Sequence, residues 1–255
     1  MTQTDTAPST RLSIVVPVKN EAGNVESLVT EIERACSGLG PFEVIYVDDG
    51  STDATGTILA DLRRSRPWLR VVRHSRSGGQ SAAIRSGVVV ARGALVATLD
   101  GDGQNDPAFI PALVAALEEG GRGTGLAQGQ RVGRKDGRLK TLQSRIANGV
   151  RGRILKDDTR DTGCGMKVFR RDVYRALTYF DALHRFMPAL VAREGYRVVH
   201  ADVVDRPRFT GRSNYGLFDR LWVGLLDLAG VWWLIRRKRP SPEAVELAPV
   251  TGREA

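Results

Sequence analysis

Two aspartates separated by one glycine, Asp100 and Asp102 in the segment DGDGQ, carry the clearest chemical signal in the sequence. They follow the apolar run ALVATL, which predicts a buried strand. In an open α/β sheet ligands bind outside the carboxyl ends of the strands, so this pair is expected to point into a crevice. Two carboxylates, with the amide oxygen of Gln104 nearby, suit Mg²⁺ or Mn²⁺ bound to a diphosphate. A simple turn is the alternative, because Asp and Gly are common turn formers.

Two further polar segments follow predicted strands and add side chains at the same expected edge. They are VVPVKNE (15–21) and YVDDGSTD (46–53). Asp49 can accept hydrogen bonds from a nucleobase N–H, whereas Asp48 and Asp53 are expected to fix the turn and cap the next helix. Capping alone would explain Asp53, but it would not explain three polar clusters along one sheet edge.

The elements that would position these residues alternate between short β-branched runs and helical patterns. This alternation is typical of βα units that build a parallel sheet, so the fold class is α/β. The predicted strands are 12–16, 43–47, 69–73, 94–99, 126–131, 166–169 and 196–204. The predicted helices are 24–36, 53–64, 79–91, 107–119, 139–155, 172–178 and 183–193. We also expect Asn20 and Asp53 to act as helix N-caps.

Composition limits the size and the partners of the protein. A chain of 255 residues with 42% hydrophobic content suits one α/β domain with a well-buried core. The net charge of +9 favours anionic partners. Nucleic acid is not expected among them, because the basic residues are scattered and no recognition-helix or zinc-finger pattern accompanies them. Cys36 and Cys164 match no C-x-x-C spacing, which argues against a zinc site or a disulfide framework.

The predicted organisation is one α/β domain with short additions. Residues 1–10 are expected to be disordered, residues 11–215 to form the domain, and the Pro-rich charged residues 240–255 to form a disordered tail. The first residues have neither a basic nor an apolar segment typical of a signal peptide, so we expect the protein in the cytoplasm.

The segment 216–239 is predicted to be an amphipathic helix at a membrane interface. It combines Trp222, Trp232 and Trp233 with a closing basic cluster, which suits anionic headgroups. Charges at Asp219 and Asp227 make lying on the inner face of the cytoplasmic membrane a better prediction than crossing it. The alternatives are packing on the catalytic domain or in a homo-oligomer interface.

The motifs PVKNE, VDDGSTD, DGDGQNDP, GQR and DTGCGMKVFRR, in this order, resemble those of inverting family 2 glycosyltransferases with a GT-A fold. Within that family the chain is most similar to the dolichyl-phosphate mannosyltransferase and bacterial polyprenyl-phosphate branch, over about residues 11 to 235. The resemblance implies transfer of a single sugar from GDP-mannose or a UDP-sugar to a polyprenyl phosphate. A soluble or cell-envelope glycan acceptor is the alternative.

The resemblance also implies a role for individual residues. The residues implied to bind the donor nucleotide are Pro17, Asn20, Glu21, Asp48, Asp49, Gly79 and Gly101. Those implied to hold the metal diphosphate are Asp100, Asp102 and Gln104. Asp161 is implied to position a sugar hydroxyl or ring during catalysis, with a purely structural turn as the alternative. The arginines implied to bind the acceptor phosphate are Arg131, Arg145 and Arg206, although ordinary surface positions would also explain them. His184 and Arg185 match a family pattern on the acceptor side, or form a simple helix-surface pair.

Overall fold

The structure, a computed structural model, describes residues 10–132, 149, 151–155, 159, 161–206 and 217–238. They contain a seven-stranded sheet, which confirms the predicted α/β class. Its strands are β1 Leu12–Val18, β2 Phe42–Asp48, β3 Leu69–Arg73, β4 Leu95–Thr98, β5 Thr124–Arg131, β6 Lys167–Arg170 and β7 Arg197–Val203. The strand order is β3-β2-β1-β4-β6-β5-β7, and β6 alone runs antiparallel to both of its neighbours in this sheet. The sheet is therefore mostly parallel, as predicted.

Seven helices in the described part of the chain surround this sheet. They are α1 Val25–Cys36, α2 Thr55–Leu62, α3 Gln80–Val90, α4 Ile110–Glu119, α5 Arg171–Ala176, α6 Leu183–Arg193 and α7 Leu217–Arg237. A 3₁₀ turn over Pro107–Phe109 precedes α4. Residues 151–155 are also helical and match the end of the predicted helix 139–155, most of which lies outside the described residues.

Both faces of the sheet are buried, and consecutive residues of β1 show how. Val16 belongs to the core with α1, α2 and α4, whereas Val15 belongs to the core with α3, α5 and α6. Successive side chains of a strand point to opposite faces, so a strand covered on both sides is apolar throughout. This explains why the first strands read as uninterrupted apolar runs. It also leaves the strand ends as the place for polar side chains.

One predicted helix cap is wrong. Asn20 lies in the turn after β1 with a φ of 58°, and α1 begins only at Val25. The side-chain oxygen of Asn20 instead accepts a hydrogen bond from the N–H of Thr52 at 2.8 Å, which ties the turn after β1 to the turn after β2. Asp53 does support α2, because its carboxylate accepts from the N–H of Thr55 at 3.0 Å, although the N-cap position itself is Ala54.

The last helix, α7, packs with one face on α6 and the core beside it. Val231 is 1% exposed, and the Arg193 side chain on α6 donates to the carbonyl of Leu234 at 3.0 Å. Among the side chains of α7 that the structure describes, residues 224–237, the large apolar ones that are exposed are Leu225, Leu226, Trp232 and Trp233. Among the described helices, none has the length and apolar character needed to cross a bilayer.

Candidate active site

Two cavities open at the carboxyl ends of the central strands and share one wall. The first cavity, of about 290 Å³, lies among the turns that follow β1, β2 and β4. The second cavity, of about 260 Å³, lies between the turn after β4, the end of β5 and the turn 161–165 before β6. Gln80 and Asp100 line both cavities. A ligand held in one cavity can therefore meet a ligand held in the other at these two side chains.

The first cavity brings together most of the residues predicted to bind a nucleotide. Those that line it are Pro17, Glu21, Asp49, Gly79 and Gly101. Asn20 and Asp48 are not among the lining residues. Asp48 is fully buried and accepts from the N–H of Ser51 at 2.8 Å, while the Ser51 hydroxyl accepts from the N–H of Asn20 at 2.9 Å. Asn20 thus joins the turns after β1 and β2 behind the cavity, and Asp48 fixes the second of these turns.

Asp49 holds the loop that precedes α3. Its carboxylate accepts from His74 at 2.7 Å, from the Ser77 hydroxyl at 2.7 Å, and from the N–H groups of Gly78 and Gly79 at 2.7 and 2.9 Å. Burial alone would raise the pKa of Asp49, but these four hydrogen bonds outweigh it and lower the pKa. The ionised carboxylate thus fixes the backbone that forms one wall of the first cavity.

The predicted metal ligands lie in the turn after β4. The N–H of Asp100 donates to the side-chain oxygen of Asn105 at 2.9 Å, and Asp102 accepts from the N–H of Gln104 at 3.1 Å. Gln104 thus orients Asp102 through its backbone. A Cβ at position 165 would overlap the carboxylate of Asp100, so Gly165 lets the turn before β6 approach that carboxylate closely. The turn after β4 and the turn before β6 thus restrict the position of Asp100.

The charges in this turn fit a divalent cation. Burial, together with the negative charge of Asp102, raises the pKa of Asp100 to about 6, although the cations Lys167 and Arg131 oppose the shift. A cation between two such carboxylates would remove their repulsion. Within the described residues, no group of three or more His, Cys, Asp or Glu side chains is placed to hold a metal. Two carboxylates suit Mg²⁺ or Mn²⁺ when a diphosphate supplies further oxygens.

In the second cavity an arginine is held between two carboxylates. Arg131, at the end of β5, donates to both oxygens of Asp161 at 2.6 and 2.8 Å, and to Asp205 at 3.2 Å. Asp205 in turn accepts from the side chain of Asn105 at 3.1 Å. A chain of contacts thus runs from Asp161 through Arg131 and Asp205 to the turn of Asp100. Arg131 and Asp161, which were predicted separately, thus lie in one site.

The other predicted arginines lie elsewhere. Arg206 forms ion pairs with Glu31 at 2.7 Å and Asp106 at 2.6 Å and lines neither cavity. Arg145 lies outside the described residues. Arg185, in the first turn of α6, lines the second cavity, and within the described residues its guanidinium has no hydrogen bond or ion pair. Unlike Arg131, Arg185 is not held between two carboxylates, although its positive charge also acts on Asp227 of α7.

Several residues of the site were not predicted from the sequence, among them Gln80, Asn105, Lys167 and Asp205. Lys167 is 2% exposed, donates to the carbonyl of Cys164, and adds a positive charge close to Asp100. Asn105 follows the DGDGQ motif directly, and this neighbourhood was a signal for it. Asp205 lies about a hundred residues away in sequence, so only the folded chain brings it to this site.

Comparison with known proteins defines the class. The sequence model of "Glycosyl transferase family 2" matches residues 13–178, and the chain belongs to this family. It is 40% identical to the dodecaprenyl-phosphate galacturonate synthase of Rhizobium johnstonii, over 93% of this chain and 71% of the relative. It is 34% identical to the undecaprenyl-phosphate 4-deoxy-4-formamido-L-arabinose transferase of Edwardsiella ictaluri, over 81% of this chain and 63% of the relative, so it spans less than two thirds of that protein.

Solved structures confirm the predicted GT-A-like fold. A mannosyltransferase of Pyrobaculum calidifontis in complex with GDP-Man and Mn²⁺ matches with a TM-score of 0.65 and 20% identity, over 91% of this chain and 66% of that one. Glucosyl-3-phosphoglycerate synthase of Mycobacterium tuberculosis, in complex with Mn²⁺, UDP and glucosyl-3-phosphoglycerate, matches with a TM-score of 0.63 and 19% identity, over 89% and 80%. At such identities the likeness establishes the fold alone.

Proposed function

We propose that this glycosyltransferase moves one sugar from a nucleotide-sugar to the phosphate of a polyprenyl phosphate, with inversion at the anomeric carbon. The observation that carries the proposal is the meeting of the two cavities at Asp100 and Gln80. One cavity adjoins paired carboxylates, and the other presents Arg131 and Arg185 to an anion. Relatives named for dodecaprenyl and undecaprenyl phosphate support a lipid phosphate as that anion.

The first cavity is proposed to hold the nucleoside diphosphate of GDP-mannose or a UDP-sugar. Pro17, Glu21, Gly79 and Gly101 would contact it directly, since they line this space. Asp49 would fix the wall through its hydrogen bonds to the loop before α3. Asn20 and Asp48 would support the pocket from behind, because Asn20 joins the turns after β1 and β2 and Asp48 fixes the second of these turns.

Mg²⁺ or Mn²⁺ is proposed to bind Asp100 and Asp102, with Gln104 orienting Asp102. When bound, the cation would neutralise the charge that develops on the departing nucleoside diphosphate. The turn of residues 100–105 would keep both carboxylates in place, because Asn105 and Gln104 hold its backbone and side chains. Preorganised ligands of this kind need little rearrangement during the reaction.

The second cavity is proposed to hold the acceptor phosphate behind the anomeric carbon. The second pKa of a phosphate monoester is about 6, so its oxygen is already anionic at neutral pH and needs no general base. That oxygen forms the bond to the anomeric carbon while the bond to the diphosphate oxygen breaks, and the electron pair leaves with the nucleoside diphosphate. Arg131 and Arg185 would position the phosphate, and Asp161 would hold Arg131 and a sugar hydroxyl.

Arg145 and Arg206 are retained as proposed acceptor-phosphate residues. Arg206 is paired with Glu31 and Asp106, so binding a phosphate there would require these partners to be exchanged. Among the described arginines, Arg185 needs no such exchange. We therefore place the main anion contact at Arg185, with Arg131 beside it.

The helix α7 is proposed to lie on the inner face of the cytoplasmic membrane. Its exposed Leu226 and Trp233 would enter the interface, where apolar side chains and aromatic rings are favourable. Arg236 lies 4.4 Å from the ring centre of Trp232 and would meet anionic headgroups. The opposite face of α7 would keep the catalytic domain close to its lipid substrate.

A donor screen tests the proposed reaction. Purified protein is incubated with Mn²⁺, undecaprenyl phosphate in detergent, and in turn GDP-mannose, UDP-glucose and UDP-galacturonate, and the lipid is analysed by mass. We expect one donor to add a single sugar to the lipid phosphate. A parallel series with 3-phosphoglycerate tests a soluble phosphate acceptor. Product in that series alone would contradict the lipid proposal.

A further inference from the structure

Gln80 occupies a position that no predicted role explains. It is the first residue of α3, and its side chain lines both cavities. Its amide nitrogen donates to one oxygen of Asp100 at 2.7 Å. Gln80 is thus the side chain that touches a proposed metal ligand at the boundary between the two cavities.

The backbone around Gln80 is held on both sides. Before it, the N–H of Gly79 donates to Asp49 at 2.9 Å, and Gly79 has a φ of 86° that favours glycine. After it, Ser81 is 1% exposed, and its hydroxyl lies 2.7 Å from Nδ1 of His184 on α6. The backbone that carries the Gln80 side chain is therefore fixed relative to both cavities.

Asp100 is restrained from two directions. Gln80 occupies one carboxylate oxygen, Oδ1, and the close approach of Gly165 fixes the space around the carboxylate. A carboxylate with one oxygen engaged by an N–H group presents its other oxygen to a cation. The hydrogen bond from Gln80 therefore restricts the direction in which the Asp100 carboxylate faces and leaves its other oxygen, Oδ2, for the cation that Asp100 would hold.

We propose that Gln80 is a positioning residue that orients the Asp100 carboxylate for binding the divalent cation. This proposal rests on the proposed function for the metal, and it adds a role for a side chain of α3. Partners that orient metal ligands commonly contribute about 10- to 100-fold in metal affinity or activity. The effect of Gln80 should fall in that range.

Two substitutions with opposite expected effects on metal affinity test the role. Gln80→Ala removes the hydrogen bond, so we expect weaker Mn²⁺ binding and an activity about 10- to 100-fold lower. Gln80→Glu places a third carboxylate beside Asp100, so we expect Mn²⁺ to bind more tightly while turnover still falls, because the new carboxylate cannot donate the hydrogen bond that orients Asp100. Mn²⁺ affinity is measured with UDP or GDP present, by electron paramagnetic resonance, and is independent of turnover.

Controls separate this role from a structural one. Gln130→Ala and Gln130→Glu change a glutamine that lines neither cavity, and we expect both to bind Mn²⁺ like the wild type. Thermal unfolding checks that all four variants are folded. Unchanged Mn²⁺ affinity in both Gln80 variants would overturn the inference, and so would the same loss of affinity in both. Wild-type protein that binds Mn²⁺ and nucleotide but forms no glycolipid would instead refute the proposed function.

Discussion

The two cavities are built by different means, although they share Asp100 and Gln80. The first is formed by turns at the ends of the adjacent parallel strands β2, β1 and β4, and hydrogen bonds to backbone N–H groups hold its walls, as Asp49 shows with Gly78 and Gly79. The second is formed by segments far apart in sequence, joined by ion pairs of Arg131. The comparison shows that hydrogen bonds to the backbone fix the walls of the proposed donor cavity. Ion pairs between side chains fix the walls of the proposed acceptor cavity.

The largest expected effect lies in the turn of the paired carboxylates. Asp102→Asn removes one of two proposed metal ligands, and we expect turnover to fall by about 100-fold or more, since a metal supplies several kcal/mol of transition-state stabilisation. Steady-state rates with saturating donor and acceptor measure it. Asp61→Asn, at an exposed carboxylate on α2, is the matched control. Equal rates in the two variants would contradict the assignment of Asp102 as a metal ligand.

Gly165→Ala tests whether the second cavity controls the first. The added methyl group would push against the Asp100 carboxylate, so we expect activity to fall by about 10- to 100-fold, as for a misplaced metal ligand. Mn²⁺ affinity should fall with it. Gly230→Ala, where a methyl group meets open space, should keep full activity. An active Gly165→Ala protein would show that the two halves are independent.

Arg185→Gln tests the anion site of the second cavity. Charged hydrogen bonds to phosphate are strong, so we expect the KM for undecaprenyl phosphate to rise by about 10-fold, with the KM for the donor unchanged. Arg122→Gln removes an equal charge just before β5, at a residue that lines neither cavity, and should leave both KM values unchanged. Equal rises in the donor and acceptor KM would contradict a specific role for Arg185.

The smallest effect concerns stability near the second cavity. Burial, with the nearby positive charges of Lys167 and Arg185, lowers the pKa of His184 to about 3. The unfolded chain, with an imidazole pKa of about 6.5, therefore binds the proton first as the pH falls below 6.5, and the folded state loses stability by up to about 1.4 kcal/mol per pH unit.

We expect this loss to be smaller in His184→Gln. Urea unfolding at pH 7 and pH 5 measures it in both proteins. The raised pKa of Asp100 contributes a slope of opposite sign, and this slope cancels when the two proteins are compared. Identical pH dependence in the two proteins would contradict a buried neutral imidazole.

The difference between the two cavities also explains which residues could be predicted from the sequence. Strands β1 to β4 and the residues that follow them were predictable, because burial on both faces produces apolar runs and the polar residues come directly after each run. The cap assigned to Asn20 failed, since that residue serves a contact between two turns that local sequence does not encode. Arg131 and Asp161 were identified from family motifs, but Asp205 and Gln80 depend on contacts between distant segments.

The most direct test of the central claim is the position of the metal. Crystals grown with Mn²⁺ and UDP or GDP are measured near the manganese absorption edge, and the anomalous difference map locates the ion. We predict a single strong peak bridging Asp100, Asp102 and the diphosphate, with the nucleoside in the first cavity. Manganese and nucleotide bound at another place, with these carboxylates free of metal, would contradict the account.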